Sequence, residues 1–311
     1  MKNINLILNR LLTPVDNFLD RFTSYKLVLY FLYSVFGWSL LASLLGQVFF
    51  KWYDIVISAA VLVATCYISN TLISKNFNVP KNRESDLITG LILTLILTPS
   101  HKPVDLLVLA LAGVAAMISK YILVISKWHI FNPAAFGAFI SGVAFHHYAS
   151  WWVGTKFITP VVFVLGMLVL RKMKRFTMVI TFELTTLAAI AFYTYLNSST
   201  AGIGHILWTT IVSTAFLFFG YIMLTEPFTS PRHFSNYMPY ALIVGFLYGY
   251  NKLGITPEEA LLIGNVFTYI VEPNRRLPLI FAHRIQEAAG IESFVFTGKN
   301  NFKYTAGQYM E

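Results

Sequence analysis

Three short stretches place chemically capable side chains where an apolar sequence has little use for them. In SDLITG, Asp86, Thr89 and Gly90 stand at i, i+3 and i+4, one face of one helix, with Ser85, Thr94 and Thr98 close by. Such a face either presents a carboxylate and hydroxyls to a ligand, or caps its own helix through Asp86 and bonds its own carbonyls through the threonines. In LTEPFTSPRH, Glu226, Thr229, Ser230 and Arg232 crowd just past an apolar run, as a ligand-holding turn or as an ordinary Pro-rich connection. In FNPAA, Asn132 fits an N-cap and Pro133 the first turn of a helix. The free N–H groups and positive dipole end of that helix suit an anionic or carbonyl-rich ligand. Lys120, inside the preceding apolar run, either snorkels to an interface or stands as a fixed cation facing a reduced, negatively charged cofactor.

Other chemistries find less support. Haem held between paired imidazoles needs histidines near both ends of neighbouring spans. His101, His129, His146, His147, His205, His233 and His283 instead fall at loops or span ends, and no span carries one at each face. The single cysteine, Cys66, lies inside an apolar run, which leaves no disulfide framework and no thiolate metal site; it reads as a small buried hydrophobe. GxGxxG, Walker, CxxC and HExxH motifs are all absent from the sequence. No catalytic side chain and no metal ligand is assigned.

The elements that must position these residues follow from composition. Hydrophobic residues make up 56% of the 311 and charged ones 12%, in apolar runs that recur along nearly the whole chain. A water-soluble core needs nothing of the kind, so a polytopic membrane protein is expected. Runs at 27–49, 53–73, 104–125, 177–196 and 206–224 are long enough to span as helices. Those at 86–98, 134–148, 157–170, 239–250 and 260–272 are shorter and must be short, broken or tilted helices with protein neighbours. Together they give about ten spans.

Basic residues set the expected orientation. With the N-terminus inside, every Lys and Arg falls on the inner side except Lys51, Lys102, Lys156 and Lys252, and Lys120 within a span. Both termini are therefore expected in the cytoplasm. The net charge of +9 reflects that bias towards an anionic inner leaflet rather than nucleic-acid binding. Residues 1–26 interleave charges with apolar residues, unlike a cleavable signal, and are expected to lie on the membrane as an amphipathic segment.

Ten spans divide into two sets of five, and an odd number per set inverts the second. The third span of each set ends alike, in LILTLILTPS (91–100) and YIMLTEPFTSP (221–231), as two interrupted helices meeting near the midplane require. After Arg276 the composition changes: 277–290 reads as a linker or interfacial helix, and 291–311 as two strands joined at GKNN. A lone hairpin is marginal in water, so these strands are expected to open a β domain that continues beyond the 311 residues.

With these residues in place, a family resemblance emerges. SDLITGLILTLILTPS, SKYILVISKWHIFNPAAFG, TFELTTLAAIAF, FFGYIMLTEPFTSP and LIGNVFTYIVEP resemble, in order, segments of the NqrB/RnfD family of membrane flavoprotein subunits, over roughly 80–280. FNPAA is the most specific segment. LTEPFTSP is similar to a Thr-Asp-Pro-Val-Thr-Ser type segment, with Glu226 where the family usually has Asp. The resemblance implies a ten-helix inverted-repeat fold similar to urea transporters, housing flavin and, in one branch, a quinone site. It places Asn265 of LIGNVF among the site residues. One departure is marked: the family attaches FMN to a threonine of a Ser-Gly-Ala-Thr segment, where this chain reads HHYASWWVGTKFITPVV. NSSTAG (197–202) falls in the wrong place, so a noncovalent flavin is expected. FVFTGKNNFKYTAGQYME resembles the first two strands of the FAD-binding barrel of ferredoxin:NADP reductase-like proteins, with Ala306 in place of proline before Gly307, Gln308 and Tyr309.

The combined expectation is an all-α polytopic membrane protein of about ten transmembrane helices in two inverted five-helix repeats, followed by a truncated barrel. Residues 1–26 form the amphipathic segment, 27–276 the membrane domain, 277–290 the linker and 291–311 the first barrel strands. Embedded in the lipid of the inner (cytoplasmic) membrane, the chain would take electrons from a fused cytoplasmic NAD(P)H:flavin reductase with its own FAD. It would pass them to FMN, riboflavin or a quinone, to partner redox subunits, with ion transport as a further option. Cofactor-binding candidates are Thr89, Gly90, Lys120, Asn132, Pro133, Glu226, Thr229, Ser230 and Asn265. These 311 residues, lacking a dinucleotide site, are not expected to oxidise NAD(P)H alone. Two other readings stay open, a permeation module for a small solute or ion and a cofactor-free assembly subunit.

Overall fold

The computed structural model describes residues 12–79, 83–125, 128–197, 202–273, 279–288 and 290–298. The chain forms two compact units, Met1–Glu272 and Pro273–Glu311. The first unit is helical. It comprises α1 (residues 12–19), α2 (Ser24–Leu44), α3 (Trp52–Asn76), α4 (Arg83–Ile96), α5 (Pro103–Ile122), α6 (Pro133–Phe145), α7 (Thr159–Met173), α8 (Phe176–Leu196), α9 (Ile203–Ser213), α10 (Phe216–Phe218), α11 (Tyr237–Gly249) and α12 (Pro257–Val271). α10 runs directly into a π-helical turn, Phe219–Met223. Between α5 and α6 the two-residue strands β1 (Val124–Ile125) and β2 (Trp128–His129) pair antiparallel.

Four helices, α2, α3, α5 and α8, are long and apolar enough to cross a membrane, and α9 with α10 makes a fifth candidate. All five fall on the runs that length alone marks as spans. Each is apolar on its outward face as well as its inward one. α8 buries Met178, Val179, Phe182 and Ala189 while Ile180, Leu184 and Phe192 point outward. Helices hydrophobic all round belong in lipid or a large core. The runs too short to span correspond to α4, α6, α7, α11 and α12.

One span departs from expectation. The run 206–224 is not a continuous helix but bends by 60° between α9 and α10. Thr214 at the break is extended (φ −127°, ψ 168°), and its hydroxyl donates to the Thr210 carbonyl at 2.6 Å and accepts from the Phe216 N–H at 3.3 Å. Gly154 sits against this break. A Cβ there would lie 2.1 Å from Ala215 N and Thr214 C, so only glycine lets the 151–155 loop approach.

Helix contacts are made through small residues, as expected where lipid removes the hydrophobic drive for association. α11 presents Gly245 and Gly249, one turn apart, to α8, whose Thr186 hydroxyl donates to the Gly245 carbonyl at 3.1 Å. α5 meets α3 similarly, with the Cys66 thiol 3.9 Å from the Gly113 carbonyl. α6 packs on α5, α12 on α11, and α6 and α12 on each other.

α1 carries part of the expected amphipathic segment, and residues 1–11 lie outside the described residues. Its acids are tied to the basic end of α7: Asp16 accepts from Arg171 at 2.7 Å through both oxygens, and Asp20 from Lys172 at 2.8 Å. The hydrogen-bonded Arg171 guanidinium holds the Asp16 carboxyl below the usual carboxylate range.

In the second unit, β3 (Leu279–Ala288) and β4 (Ile291–Gly298) form an antiparallel hairpin. The expected linker over 277–290 is thus mostly a strand. Ile280, Phe281 and Ile285 favour extended backbone, and Gly290, at φ +80°, makes the tight return that supplies a partner. The expected second barrel strand lies outside the described residues.

Candidate functional site

Six of the nine candidates meet at the start of α6. Asn132 caps the helix, its side-chain oxygen accepting from the Ala135 N–H at 3.0 Å, with Pro133 in the first turn. The Asn132 N–H donates to Asn265 Oδ1 at 2.8 Å, and Asn265 Nδ2 donates to the Thr229 carbonyl at 3.3 Å. One buried carboxamide therefore ties α6, α12 and the turn after the π segment. Thr229 Oγ1 donates to Glu226 Oε2 at 2.8 Å, and Ser230 Oγ to the Glu226 carbonyl at 2.6 Å. The buried Arg175 donates to Ser230 Oγ at 2.7 Å and the Pro231 carbonyl at 2.9 Å, and its guanidinium lies 5.1 Å from the Tyr237 ring centre.

The outer edge of this cluster is aromatic and charged. Glu226 Oε1 lies 3.9 Å from His129 Nε2, His129 stacks on Phe228 at 5.3 Å, and the Arg232 guanidinium sits 3.9 Å from the Trp128 ring centre. Glu272, at the end of α12, accepts from the N–H groups of Arg232 and His233 and from Asn236 Nδ2. Proline and hydroxyl residues thus make a pinned turn.

The other three candidates form a second group between α3, α4 and α5. Thr89 Oγ1 donates back to the Ser85 carbonyl at 2.8 Å. Gly90 lets α4 lie on α3, since a Cβ there would be 2.9 Å from Val63 Cα. Lys120 Nζ turns inward and donates to Ser85 Oγ at 2.9 Å. Asp86 is fully buried, with Asn70 Nδ2 donating to it, and Asn70 Oδ1 accepts from the Tyr121 hydroxyl at 2.5 Å.

A cavity of about 330 Å³ opens elsewhere, at the α9–α10 break and the start of α12. Its walls include Phe50, Trp151, Trp152 and Tyr248, with Ser150, Thr155, Ser213 and Thr214 supplying hydroxyls. Trp152 Nε1 donates to the Thr94 carbonyl at 2.8 Å and Trp151 Nε1 to Glu258 Oε2 at 3.1 Å, which fixes both rings. Ser213 Oγ is buried without a hydrogen-bond partner. Its volume is at the lower end of that of small-molecule sites, typically ~300–1,000 Å³, and its walls are largely aromatic.

None of the nine candidates lines this cavity. Its lining from Ser150 to Thr155 comes from the interval that lacks a Ser-Gly-Ala-Thr segment. The available signal was the Trp-Trp pair flanked by serine and threonine after an FNPAA helix. Compared with known proteins, the chain matches no protein-family model and no curated protein.

Proposed function

We propose that the chain is the membrane domain of an electron-transfer module that holds a flavin or a quinone in the cavity at the α9–α10 break. The observation that carries this reading is the cavity itself, with Trp151 and Trp152 fixed by their indole hydrogen bonds and Tyr248 beside them. Those groups suit a planar ring with carbonyl edges, stacking by its faces and accepting hydrogen bonds at its rim. A bound flavin or quinone supplies the capacity to accept and pass on electrons. The chain supplies position: Trp151 and Trp152 are held by their own hydrogen bonds, and Gly154 keeps the loop against the break.

In this reading the Asn132–Asn265–Thr229 network, with Glu226 and Ser230, fixes α6 and α12 around the module's centre. Lys120 holds Ser85 of α4 from α5. Two inverted five-helix repeats and about ten spans are part of the proposal. The similar contact order supports them: α3 on α5 and α5 on α6 in one half, α8 on α11 and α11 on α12 in the other, each with a side chain on a glycine carbonyl. We take the β3–β4 hairpin, with Phe281, Phe294 and Phe296 exposed, as part of a reductase-type FAD barrel delivering electrons from NAD(P)H on the cytoplasmic side of the inner membrane. The NqrB/RnfD resemblance remains the reason to prefer flavin. A permeation module is the competing reading; the centre where α6 meets α12 is filled by mutually bonded side chains, which favours electron transfer.

Adding riboflavin, FMN or a water-soluble quinone to cofactor-depleted protein in detergent should quench tryptophan emission saturably, and Ser213→Leu should weaken that binding at least about tenfold, a loss of roughly 1.4 kcal/mol. Quenching that does not saturate, or that Ser213→Leu leaves unchanged, would contradict the assignment.

A further inference from the structure

Glu183 is an acidic residue well inside a helix long and apolar enough to cross a membrane. It is the eighth of the 21 residues of α8, about 11 Å along a helix of about 32 Å. Ionisable groups at such depth are costly to keep charged, and by that cost they mark ion or proton pathways. Its Oε1 is buried with no hydrogen-bond partner, and the Tyr221 hydroxyl lies against the carboxyl.

The surroundings of Tyr221 are specific. It belongs to the π turn Phe219–Met223, in which the Leu224 N–H donates to the Phe219 carbonyl at 2.9 Å. The extra residue of such a turn changes which side chains face a neighbour, and π turns concentrate at functional sites. The Tyr221 ring is seated on α7 at Gly166, where a Cβ would lie 2.2 Å from its Cδ2. Its carbonyl accepts from the Thr225 hydroxyl at 2.7 Å. The phenol is therefore held in place from α7 while its hydroxyl reaches α8.

We propose that Glu183, closed by the Tyr221 hydroxyl, is a proton-binding site inside the membrane domain. In the ionised state the Tyr221 O–H donates to the carboxylate. A proton arriving from water bonds to Oε1, the oxygen without a partner, and converts the carboxylate to a neutral acid; release reverses the step and restores the charge. The ligand is a proton rather than a metal ion, because no group of three His, Cys, Asp or Glu among the described residues is placed to hold one. Elements packed against α8 carry His205 on α9, Tyr221 on the π turn, Tyr237, Tyr240 and Tyr248 on α11, and Lys252 beyond it. The site does not depend on what the cavity holds.

The test uses the full chain in detergent or lipid nanodiscs with dicyclohexylcarbodiimide, which adds to protonated carboxyls in apolar surroundings. Peptide mass spectrometry then maps the adduct across pH. Glu183 should carry the label at neutral pH and lose it as pH rises, and Glu183→Gln should abolish labelling of that peptide. Tyr221→Phe removes the donor that stabilises the carboxylate and should extend labelling to higher pH. A Glu183 unlabelled at neutral pH, or labelled independently of pH, would overturn the proposal. Should Tyr221→Phe not fold, infrared spectra of the unsubstituted protein and Glu183→Gln decide the matter. A protonated-carboxyl carbonyl band lost in the variant supports the site, and its absence from the unsubstituted protein refutes it.

Discussion

Asn265 bonds to two elements through opposite ends of one carboxamide, accepting from Asn132 N–H and donating to the Thr229 carbonyl. Both partners are buried, and a buried polar group left without a partner costs about 1–3 kcal/mol. Asn265→Leu, which strands both, should destabilise the protein by roughly 2–4 kcal/mol, seen as a clear fall in the thermal midpoint in detergent. An unchanged midpoint would mean that water or a rearranged side chain replaces the amide. At this scale the sequence was legible where local geometry dictates the role: Asn132 and Pro133 form the cap that their order implies. Asn265 could be singled out only by resemblance, because its partners lie 133 and 36 positions away. Lys120 was undecided between snorkelling and an inward role, since the choice depends on Ser85, supplied by another helix.

Among the elements, the α9–α10 break depends on one close approach. Gly154→Ala puts a Cβ onto backbone atoms of Thr214 and Ala215, which cannot swing aside as a side chain end can. Overpacking of this kind costs about 1–3 kcal/mol, and here it must also push the 151–155 loop away from the cavity. Gly154→Ala should therefore lower the melting midpoint and weaken ligand quenching together, while Gly202→Ala, where a Cβ meets open space, should leave quenching unchanged. If Gly154→Ala binds and melts like the parent, the loop does not hold the break. The long apolar helices α2, α3, α5 and α8 were legible, because run length and apolar composition determine what lipid accepts. The bend was not, since Thr209, Thr210, Ser213 and Thr214 within 206–224 can bond carbonyls of a straight helix equally well, and the interruption comes from Thr214 side-chain bonds and a distant glycine. β3 was missed for a related reason: its strand character appears only with β4 as its partner across Gly290.

At the scale of the whole molecule, the first unit presents apolar side chains outward along α2, α3, α5 and α8 and buries polar groups such as Asp86, Asn132, Arg175 and Asn265 between its helices. Composition made this arrangement legible, as charged side chains are too few to cover a surface of this size. The location of the cavity was not, since Phe50, Trp151, Ser213 and Tyr248 converge only after folding. The electron-transfer account is tested most directly by purifying the protein in mild detergent, recording its visible spectrum, then precipitating it with acid and assaying supernatant and pellet for flavin and organic extract for quinone. The account predicts a bound flavin or quinone, with any flavin released to the supernatant. Flavin retained in the pellet would contradict noncovalent binding and direct attention to Thr155, and a protein carrying neither group would contradict the electron-transfer assignment itself.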